Sequence, residues 1–109
     1  MHSQVITFTL KGMSEAEYLK LCDDLAPAVA SQPGLLYKVF IADRATNTYG
    51  GIYAWRDKAS MEAFAKTDLV KAVASRPNIT NFAAKDFAVI EGPTRVCHGL
   101  VEAAVASRR

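Results

Sequence analysis

Two apolar, aromatic-rich runs between Gln32 and Trp55 place the strongest constraint on the fold of this chain. Residues 35–42 and 49–55 each have the composition of a β-strand, and a polar segment at 43–48 separates them. A Pro-Gly pair at 33–34 marks the start of the first run. This pattern predicts a β-hairpin. It holds half of the chain's aromatic residues, which could build a core, a subunit interface or a pocket wall: Tyr37, Phe40, Tyr49, Tyr53 and Trp55.

A strand and a helix are predicted before the hairpin. Residues 4–10 alternate in the way a strand does, and one face carries Ile6, Phe8 and Leu10. The sequence from Ser14 to Glu17 matches a capping box, in which each side chain accepts from the other residue's backbone amide. We therefore expect a helix from Glu15 to about Ala30, with Pro27 inside it.

Two short helices are predicted after the hairpin. Asp57 is a good N-cap, and Met61 and Phe64 have the spacing of an inward-facing stripe. Thr67-Asp68 indicates a break and a second cap. The apolar turn that follows should end at Arg76-Pro77, because the residue before a proline disfavours helical geometry.

A fourth strand and a terminal helix complete the chain. Residues 80–91 alternate as a strand, with Phe82, Ala84, Ala88 and Ile90 predicted on one face and Phe87 and Val89 on the other. Gly92-Pro93 should stop this strand. Apolar residues from Thr94 through Val105 predict a C-terminal helix, which Gly99 weakens.

The element order is β-α-β-β-α-β plus a terminal helix, within a single domain spanning 1–109. This order predicts an α+β, ferredoxin-like fold, in which a four-stranded antiparallel sheet carries its helices on one face. The other face would still present apolar side chains to water. Because monomers rarely expose such a surface, a homodimer is expected.

Composition excludes several classes of function. Thirteen basic and eleven acidic side chains are interspersed, so nucleic acid is not an expected partner. No apolar run is long enough to cross a bilayer, and the N-terminus lacks the pattern of a secretory signal, so a cytoplasmic location is expected. Cys22 and Cys97 lie far apart in sequence, which favours two reduced, buried thiols over a disulfide.

The usual catalytic signatures are missing from the sequence. There is no glycine-rich phosphate loop, no nucleophile elbow and no cluster with metal-ligand spacing. His2 is terminal, and for His98, which follows Cys97 on the weak last helix, a structural or surface role is favoured. No catalytic residue, metal ligand or cofactor ligand is therefore predicted.

An aromatic wall remains as the candidate site: Phe8, Tyr18, Tyr37, Tyr53, Trp55, Phe64 and Phe87. A cavity between the sheet and the helices would suit a flat aromatic or polyketide-like ligand, although the same residues could simply fill the core. Strand alternation places Tyr37 on the same face as Leu35. Lys38, a polar residue in an apolar strand, could extend along an edge or present its charge to a pocket. The predicted pocket residues are Phe8, Tyr18, Tyr37, Lys38, Tyr53, Trp55 and Phe64.

The hairpin and its flanks resemble the YdhR-type monooxygenase family, which belongs to the dimeric α/β-barrel (ABM-like) superfamily. The resemblance rests on Pro33-Gly34 followed by Tyr37-Lys38, and on the strand 50–53 that leads to Asp57 and a helix with Ser60. The preceding helix, with its internal Pro27, is also similar. The likeness is strong from about residue 26 to residue 64 and weak after Leu69.

The resemblance implies a homodimer in which two ferredoxin-like sheets form a barrel, with one ligand cavity in each subunit. Monooxygenases of the wider superfamily oxidise aromatic polyketides with O₂ and without a metal or flavin. The leading hypothesis is thus a cofactor-independent monooxygenase that acts on a small aromatic or polyketide-like compound. The alternative is a dimeric binding or stress-response protein that sequesters a small hydrophobic ligand without turnover. The resemblance assigns no catalytic residue.

Overall fold

The fold is a four-stranded antiparallel sheet with the strand order β2-β3-β1-β4, seen in a computed structural model that describes residues 1–100. The strands are β1 (His2–Leu10), β2 (Leu35–Asp43), β3 (Thr48–Trp55) and β4 (Ile79–Ala88). The helices are α1 (Glu15–Ala30), α2 (Lys58–Ala65), α3 (Asp68–Ala74) and α4 (Glu91–Val96). The predicted α+β, ferredoxin-like class is confirmed.

The predicted helix starts are formed by side-chain caps. The Ser14 hydroxyl accepts from the Glu17 amide at 3.1 Å, and the Glu17 carboxylate accepts from the Ser14 amide at 3.1 Å, which completes the capping box of α1. Asp57 accepts from the Ser60 amide at 2.8 Å and so begins α2. Thr67 caps α3 in the same way. These bonds satisfy amides that have no partner inside the helix.

One face of the sheet is buried beneath the helices. Every second residue of β1 is buried, as expected for a strand with one covered face. The antiparallel register aligns this face of β1 with Tyr49, Gly51, Tyr53 and Trp55 of β3. The core combines these positions with helix residues: Ile6, Phe8, Leu10, Tyr18, Val29, Tyr49, Tyr53, Trp55, Met61, Phe64 and Ile79.

The hairpin turn is built by local polar contacts. Asp43 accepts from the Ala45 amide at 3.2 Å, and a short 3₁₀ turn at Arg44–Thr46 follows. Asn47 then adopts a left-handed conformation with φ 54°, which asparagine tolerates better than most residues. Its side chain donates to the Leu10 carbonyl at 2.7 Å. The turn is thereby joined to the end of β1.

A β-bulge near the start of β2 overturns one prediction. Leu35 pairs with Trp55, but Tyr37 pairs with Ala54, so the register shifts by one residue between them. Tyr37 therefore lies on the face away from the helices, opposite to Leu35. The prediction that these two residues share a face was wrong, because strict alternation assumes a strand without an extra residue. Lys38 is consequently on the helix-covered face, opposite Tyr53.

The C-terminal part of the described chain also differs from the prediction. β4 ends at Ala88 instead of continuing to Glu91, and α4 begins at Glu91 rather than Thr94. Pro93 falls in the first turn of α4, where its missing N–H costs nothing, so it does not act as a stop. The helix ends at Val96, and the predicted continuation to Val105 lies mostly outside the described residues.

Both cysteines are free, but they are not buried as predicted. Cys22 is half-buried on α1, and Cys97 is exposed at the end of α4. His2, which was considered only a terminal residue, is instead a buried member of β1. Its Nε2 lies 2.6 Å from an Asp86 carboxylate oxygen, a contact that ties β1 to β4. This geometry gives His2 a structural role.

We expect Gly50→Ala to destabilise the fold by at least about 3 kcal/mol, at the upper end of the usual cost of overpacking. A Cβ at this position would lie 1.9 Å from the Ile6 carbonyl oxygen, and backbone atoms of a neighbouring strand cannot move aside. Urea unfolding of the variant measures the change. Gly92→Ala is the control, because no atom lies within 4 Å of a Cβ there and its stability should not fall. Equal stability of Gly50→Ala and wild type would contradict this account of the contact.

Candidate functional site

A cavity of about 80 Å³ lies between the covered face of the sheet and helices α1, α2 and α3. Its lining is almost entirely apolar. The side chains and glycines that surround it are Ile6, Phe8, Tyr18, Leu21, Cys22, Leu25, Val29, Lys38, Phe40, Gly50, Gly51, Tyr53, Phe64, Leu69, Val70, Val73 and Phe82. Five of the seven predicted pocket residues are in this lining: Phe8, Tyr18, Lys38, Tyr53 and Phe64.

Aromatic contacts hold the lining in place. The rings of Phe8 and Tyr18 meet edge to face with centroids 5.7 Å apart, and Phe8 stacks on Phe82 at 6.4 Å. The rings of Tyr53 and Phe64 are tilted at a centroid distance of 5.8 Å. These distances fall within the range of attractive aromatic pairs. The cavity is therefore bounded by rings that are already positioned by their neighbours.

Lys38 brings a cation into this apolar lining. Its Nζ lies 4.0 Å from the ring centroid of Phe40 and 4.6 Å from that of Tyr53. The Lys38 side chain can pass over Gly51 because this residue has no side chain: a Cβ there would lie 2.7 Å from the Lys38 Cε atom. Within residues 1–100 Lys38 forms no salt bridge. In that part of the chain its ammonium interacts favourably with the faces of two aromatic rings and with the nearby Cys22.

The electrostatics of the cavity follow from this burial. Loss of hydration lowers the pKa of Lys38 to about 8, although the nearby Cys22 opposes part of the change. Burial also raises the pKa of Tyr53 to about 12, with a smaller contribution from Cys22. Burial raises the pKa of Tyr18, and the Cys22 thiol adds to that rise. Near neutral pH both phenols are thus protonated, while Lys38 lies close enough to its pKa to exchange a proton.

Two predicted pocket residues are not in the cavity lining. Tyr37 lies on the opposite face of the sheet because of the bulge, and 36% of its surface is exposed. Trp55 is fully buried behind Tyr53, on whose ring it stacks at 6.0 Å. Its Nε1 donates to the Gln4 side-chain oxygen at 3.1 Å. Phe87 of the aromatic wall is also on the opposite face and is half exposed.

Twelve of the seventeen lining residues were not predicted as pocket residues, among them Cys22, Phe40 and Phe82. The alternation of the fourth strand groups Phe82 with Ala84, but nothing in the sequence indicated a gap beside Phe82 or Cys22. Phe40 shares the covered face with Lys38, two positions earlier, only because of the bulge at 35–37. Predicting the position of Phe40 would have required knowing that a β-bulge follows Pro33-Gly34, and strict alternation does not reveal a bulge.

Phe40 separates the cavity from two surface grooves along the edge strand β2. One groove, of about 370 Å³, lies between β2 and α1 and shares Tyr18, Cys22 and Phe40 with the cavity. The other, of about 270 Å³, shares Val29, Lys38 and Phe40. Phe40 lines all three spaces, and 43% of its surface is exposed.

The remaining polar pairs lie outside the cavity. Arg44 donates to both carboxylate oxygens of Glu15 at 2.7 and 2.9 Å, and the Tyr49 hydroxyl donates to the same carboxylate at 3.2 Å. These bonds join the start of α1 to the hairpin. Within residues 1–100 no group of three or more His, Cys, Asp or Glu side chains is arranged to hold a metal ion.

The family model described as "Putative mono-oxygenase ydhR" matches residues 4–100 of this chain. The chain belongs to the YdhR family. The resemblance noted in the hairpin is thus confirmed, and it extends across most of the sequence. A comparison with curated proteins gives no match.

Solved structures confirm the fold. SnoaB, a cofactor-independent oxygenase from Streptomyces nogalater, is 25% identical with a TM-score of 0.67, over 83% of this chain and 93% of that one. A "putative antibiotic biosynthesis monooxygenase" from Deinococcus radiodurans is 16% identical with a TM-score of 0.71, over 84% and 95%. The heme-degrader MhuD from Mycobacterium tuberculosis, solved with two hemes, is 19% identical with a TM-score of 0.65, over 83% and 96%. None of the helices described for the YdhR-family chain is long and apolar enough to cross a membrane.

We expect Lys38→Met to stabilise the folded chain by about 1–2 kcal/mol at neutral pH, after allowing for the partial exposure of the lysine. The folded pKa of about 8 is below the ordinary value of 10.5, so burying the charged form costs free energy below pH 8. Between these values the unfolded chain holds a proton that the folded chain has released, and the stability of the wild type rises with pH. The gain from Lys38→Met should therefore shrink as the pH approaches 10.5.

Urea unfolding of wild type and variant across this pH range measures the difference in their free energies of unfolding, called the gap below. Comparing the two proteins at each pH cancels the ionisation of the tyrosines, which they share. Lys85→Met is the matched control, since it removes a lysine that lies over a ring, Phe87, on the exposed face of the sheet. A gap for Lys38→Met that is absent at neutral pH, or that grows with pH, would show that the ammonium is not desolvated.

Proposed function

We propose that this chain is a cofactor-independent monooxygenase that oxidises a small aromatic compound in the cavity between the sheet and α1. The observation that carries the proposal is the convergence of Lys38, Tyr18 and Tyr53 on an otherwise apolar space, in a chain of the YdhR family. An apolar cavity with a few polar groups at one side is the usual form of a small-molecule site. The likeness to SnoaB, a cofactor-independent oxygenase, supports the same reaction class.

The chemistry requires an activated substrate carbon, such as the CH₂ group of an anthrone. Loss of one proton gives a carbanion, which adds O₂ and forms a C–O bond to a peroxide anion. After protonation of the peroxide, the second C–H proton leaves and the O–O bond breaks. The products are a ketone and water. The carbon loses four electrons, O₂ gains four, and one oxygen atom enters each product, so no external reductant is needed.

The residues of the cavity can support the first of these steps. Lys38, with a pKa lowered to about 8 by burial, can accept the departing proton as a neutral amine. The hydroxyls of Tyr18 and Tyr53 stay protonated and can donate to an oxygen atom of the substrate, stabilising the negative charge that develops. Phe8 and Phe64 would hold the ring by stacking, and Trp55 would support Tyr53 from behind.

The size of the cavity limits what can bind without rearrangement. Ligand sites usually measure from ~300 Å³ upward, whereas this cavity is about 80 Å³. A single ring is thus the largest group that we expect the cavity to accommodate in its present shape. A compound with two or three rings would require the Phe40 ring to turn outward and join the cavity to the neighbouring grooves.

We further propose that the working form is a homodimer. The sheet face away from the helices exposes apolar side chains on both edge strands, including Val39 at 48% and Phe87 at 50%. A shallow hollow of about 440 Å³ lies between Val5, Thr7 and Phe87 on this face. A second copy packed face to face would cover these residues. A monomer in sedimentation velocity at micromolar concentration would contradict this arrangement.

Haem chemistry receives less support from the residues. The cavity lining contains no histidine, and its volume of about 80 Å³ is far below that of a porphyrin. His98, the internal histidine considered from the sequence, is exposed at the end of α4. His2 is engaged with Asp86. The likeness to MhuD therefore extends to the fold and does not suggest a haem site here.

A binding protein without turnover is the second candidate. It is favoured by one observation: among the described residues Lys38 has no carboxylate or imidazole partner that would orient it as a base. Such a protein would be stabilised by a ligand but would consume no oxygen. The two candidates share the cavity and differ only in what happens after binding.

We expect purified, metal-free protein to consume O₂ in the presence of at least one member of a panel of anthrones and hydroquinones. An oxygen electrode measures the rate, and with an anthrone the product analysis should show one oxygen atom inserted per O₂. Thermal stabilisation by the same compounds without oxygen uptake above buffer would support the binding protein instead. If no compound causes oxygen uptake and none stabilises the protein, that result would argue against a ligand site in this cavity.

The Phe40 ring gives a sharper form of the same experiment. Phe40→Ala should increase the rate for three-ring anthrones relative to one-ring hydroquinones, by about 5-fold or more, because it joins the cavity to the grooves along β2. Phe82→Ala is the matched control: Phe82 is 42% exposed and lines the cavity, but it lies on the opposite edge strand and borders neither groove. The same gain from both variants would mean that β2 is not the route of entry.

A further inference from the structure

We propose that Gly51 and Lys38 act together as a specificity device, which makes the cavity prefer ligands with an ionised phenolic or enolic hydroxyl over neutral compounds of the same shape. The inference deepens the proposed function by naming the ionisation state that the site selects. It rests on the same cavity but does not require turnover.

The first argument is the position of the ammonium group. In the register of the sheet, Gly51 lies between Ile6 of β1 and Phe40 of β2 on the covered face. Since glycine leaves this position empty, the Lys38 stem can cross it, with its Cε 2.7 Å from where a Cβ would be. The Nζ atom then faces the Tyr53 ring at 4.6 Å instead of extending past the edge of the sheet. The missing side chain thus determines where the charge is placed.

The second argument is the balance of polar groups around the ammonium. Lys38 offers only donors, and Tyr18 and Tyr53 each offer a hydroxyl that can donate. Cys22 is the other polar side chain of the lining, and α2, α3, β1 and β4 contribute apolar side chains to it. The carboxylate of Asp23 lines the groove outside, not the cavity. The lining can therefore neutralise an anionic oxygen much better than it can satisfy a ligand that only donates.

The third argument is the free-energy cost of an unpaired Lys38 ammonium group in the cavity. An ammonium in an apolar site has lost part of its hydration, and two aromatic faces replace that hydration only in part. An oxyanion would form a charge-assisted hydrogen bond with it. A neutral ligand of the same shape would displace any water there and leave the ammonium unpaired. Binding should therefore discriminate by charge as well as by shape.

The test compares 4-nitrophenol, an acidic single-ring phenol, with its methyl ether, 4-nitroanisole. At about pH 7.5, where the phenol is largely ionised, calorimetry should show it binding about 10-fold tighter than the ether, as one charged hydrogen bond would give. The visible spectrum of the phenol provides a second readout. On the protein, its ionisation should move to lower pH by about one unit, because the bound anion is paired with an ammonium.

Variants assign the effect to the two residues. Lys38→Met should remove both the preference and the spectral shift, whereas Lys38→Arg should keep most of both. Gly51→Ala retains the lysine but should displace its ammonium, and the preference should fall at least about 3-fold. It also provides the test if Lys38→Met does not fold. Lys85→Met, on the opposite face of the sheet, should change neither readout.

The outcomes separate this inference from the proposed function. Equal binding of phenol and ether by wild type, or an unchanged preference in both Lys38→Met and Gly51→Ala, would overturn the specificity device even if oxygen is consumed. A clear preference that both variants abolish would support it even if no substrate is ever oxidised.

Discussion

The architecture of the site depends on two consecutive positions of β3 that carry no side chain. At Gly50 the backbone of β1 approaches so closely that a Cβ would overlap the Ile6 carbonyl oxygen. At Gly51 the covered face of the sheet has a gap between Ile6 and Phe40, and this gap forms part of the cavity wall. One glycine thus permits the strands to pair, and the next gives Lys38 room to turn inward.

The cavity and the core are made of the same kind of residue, which explains why sequence reasoning could not separate them. Periodicity groups Phe8 and Phe64 with other apolar residues of their elements, and both are buried beside the cavity. Whether such rings meet or leave a space depends on differences of a few ångströms in helix position, which periodicity does not record. Trp55 illustrates the limit: it has the same pattern as Tyr53, yet it lies fully buried behind that residue.

Local signals in the sequence were reliable where a side chain acts on its own neighbours. The capping box at Ser14 and Glu17 and the N-cap at Asp57 set the helix starts through bonds that span three residues. The bulge before Tyr37 has no such signature, because it reflects how β2 fits against β3. That single shift exchanged the faces of Tyr37 and Lys38. It therefore changed the predicted site more than any error at an element boundary did.

A partly buried, desolvated lysine should cost the fold free energy, and that expected cost is an argument for its use in binding. A methionine would fill the same space over Gly51 without losing hydration, so stability alone does not account for an ammonium there. An anionic ligand offsets the lost hydration only while it is bound, and the same energy then contributes to affinity. One desolvated charge would thus explain both the lower stability of the protein without ligand and its preference for anionic ligands.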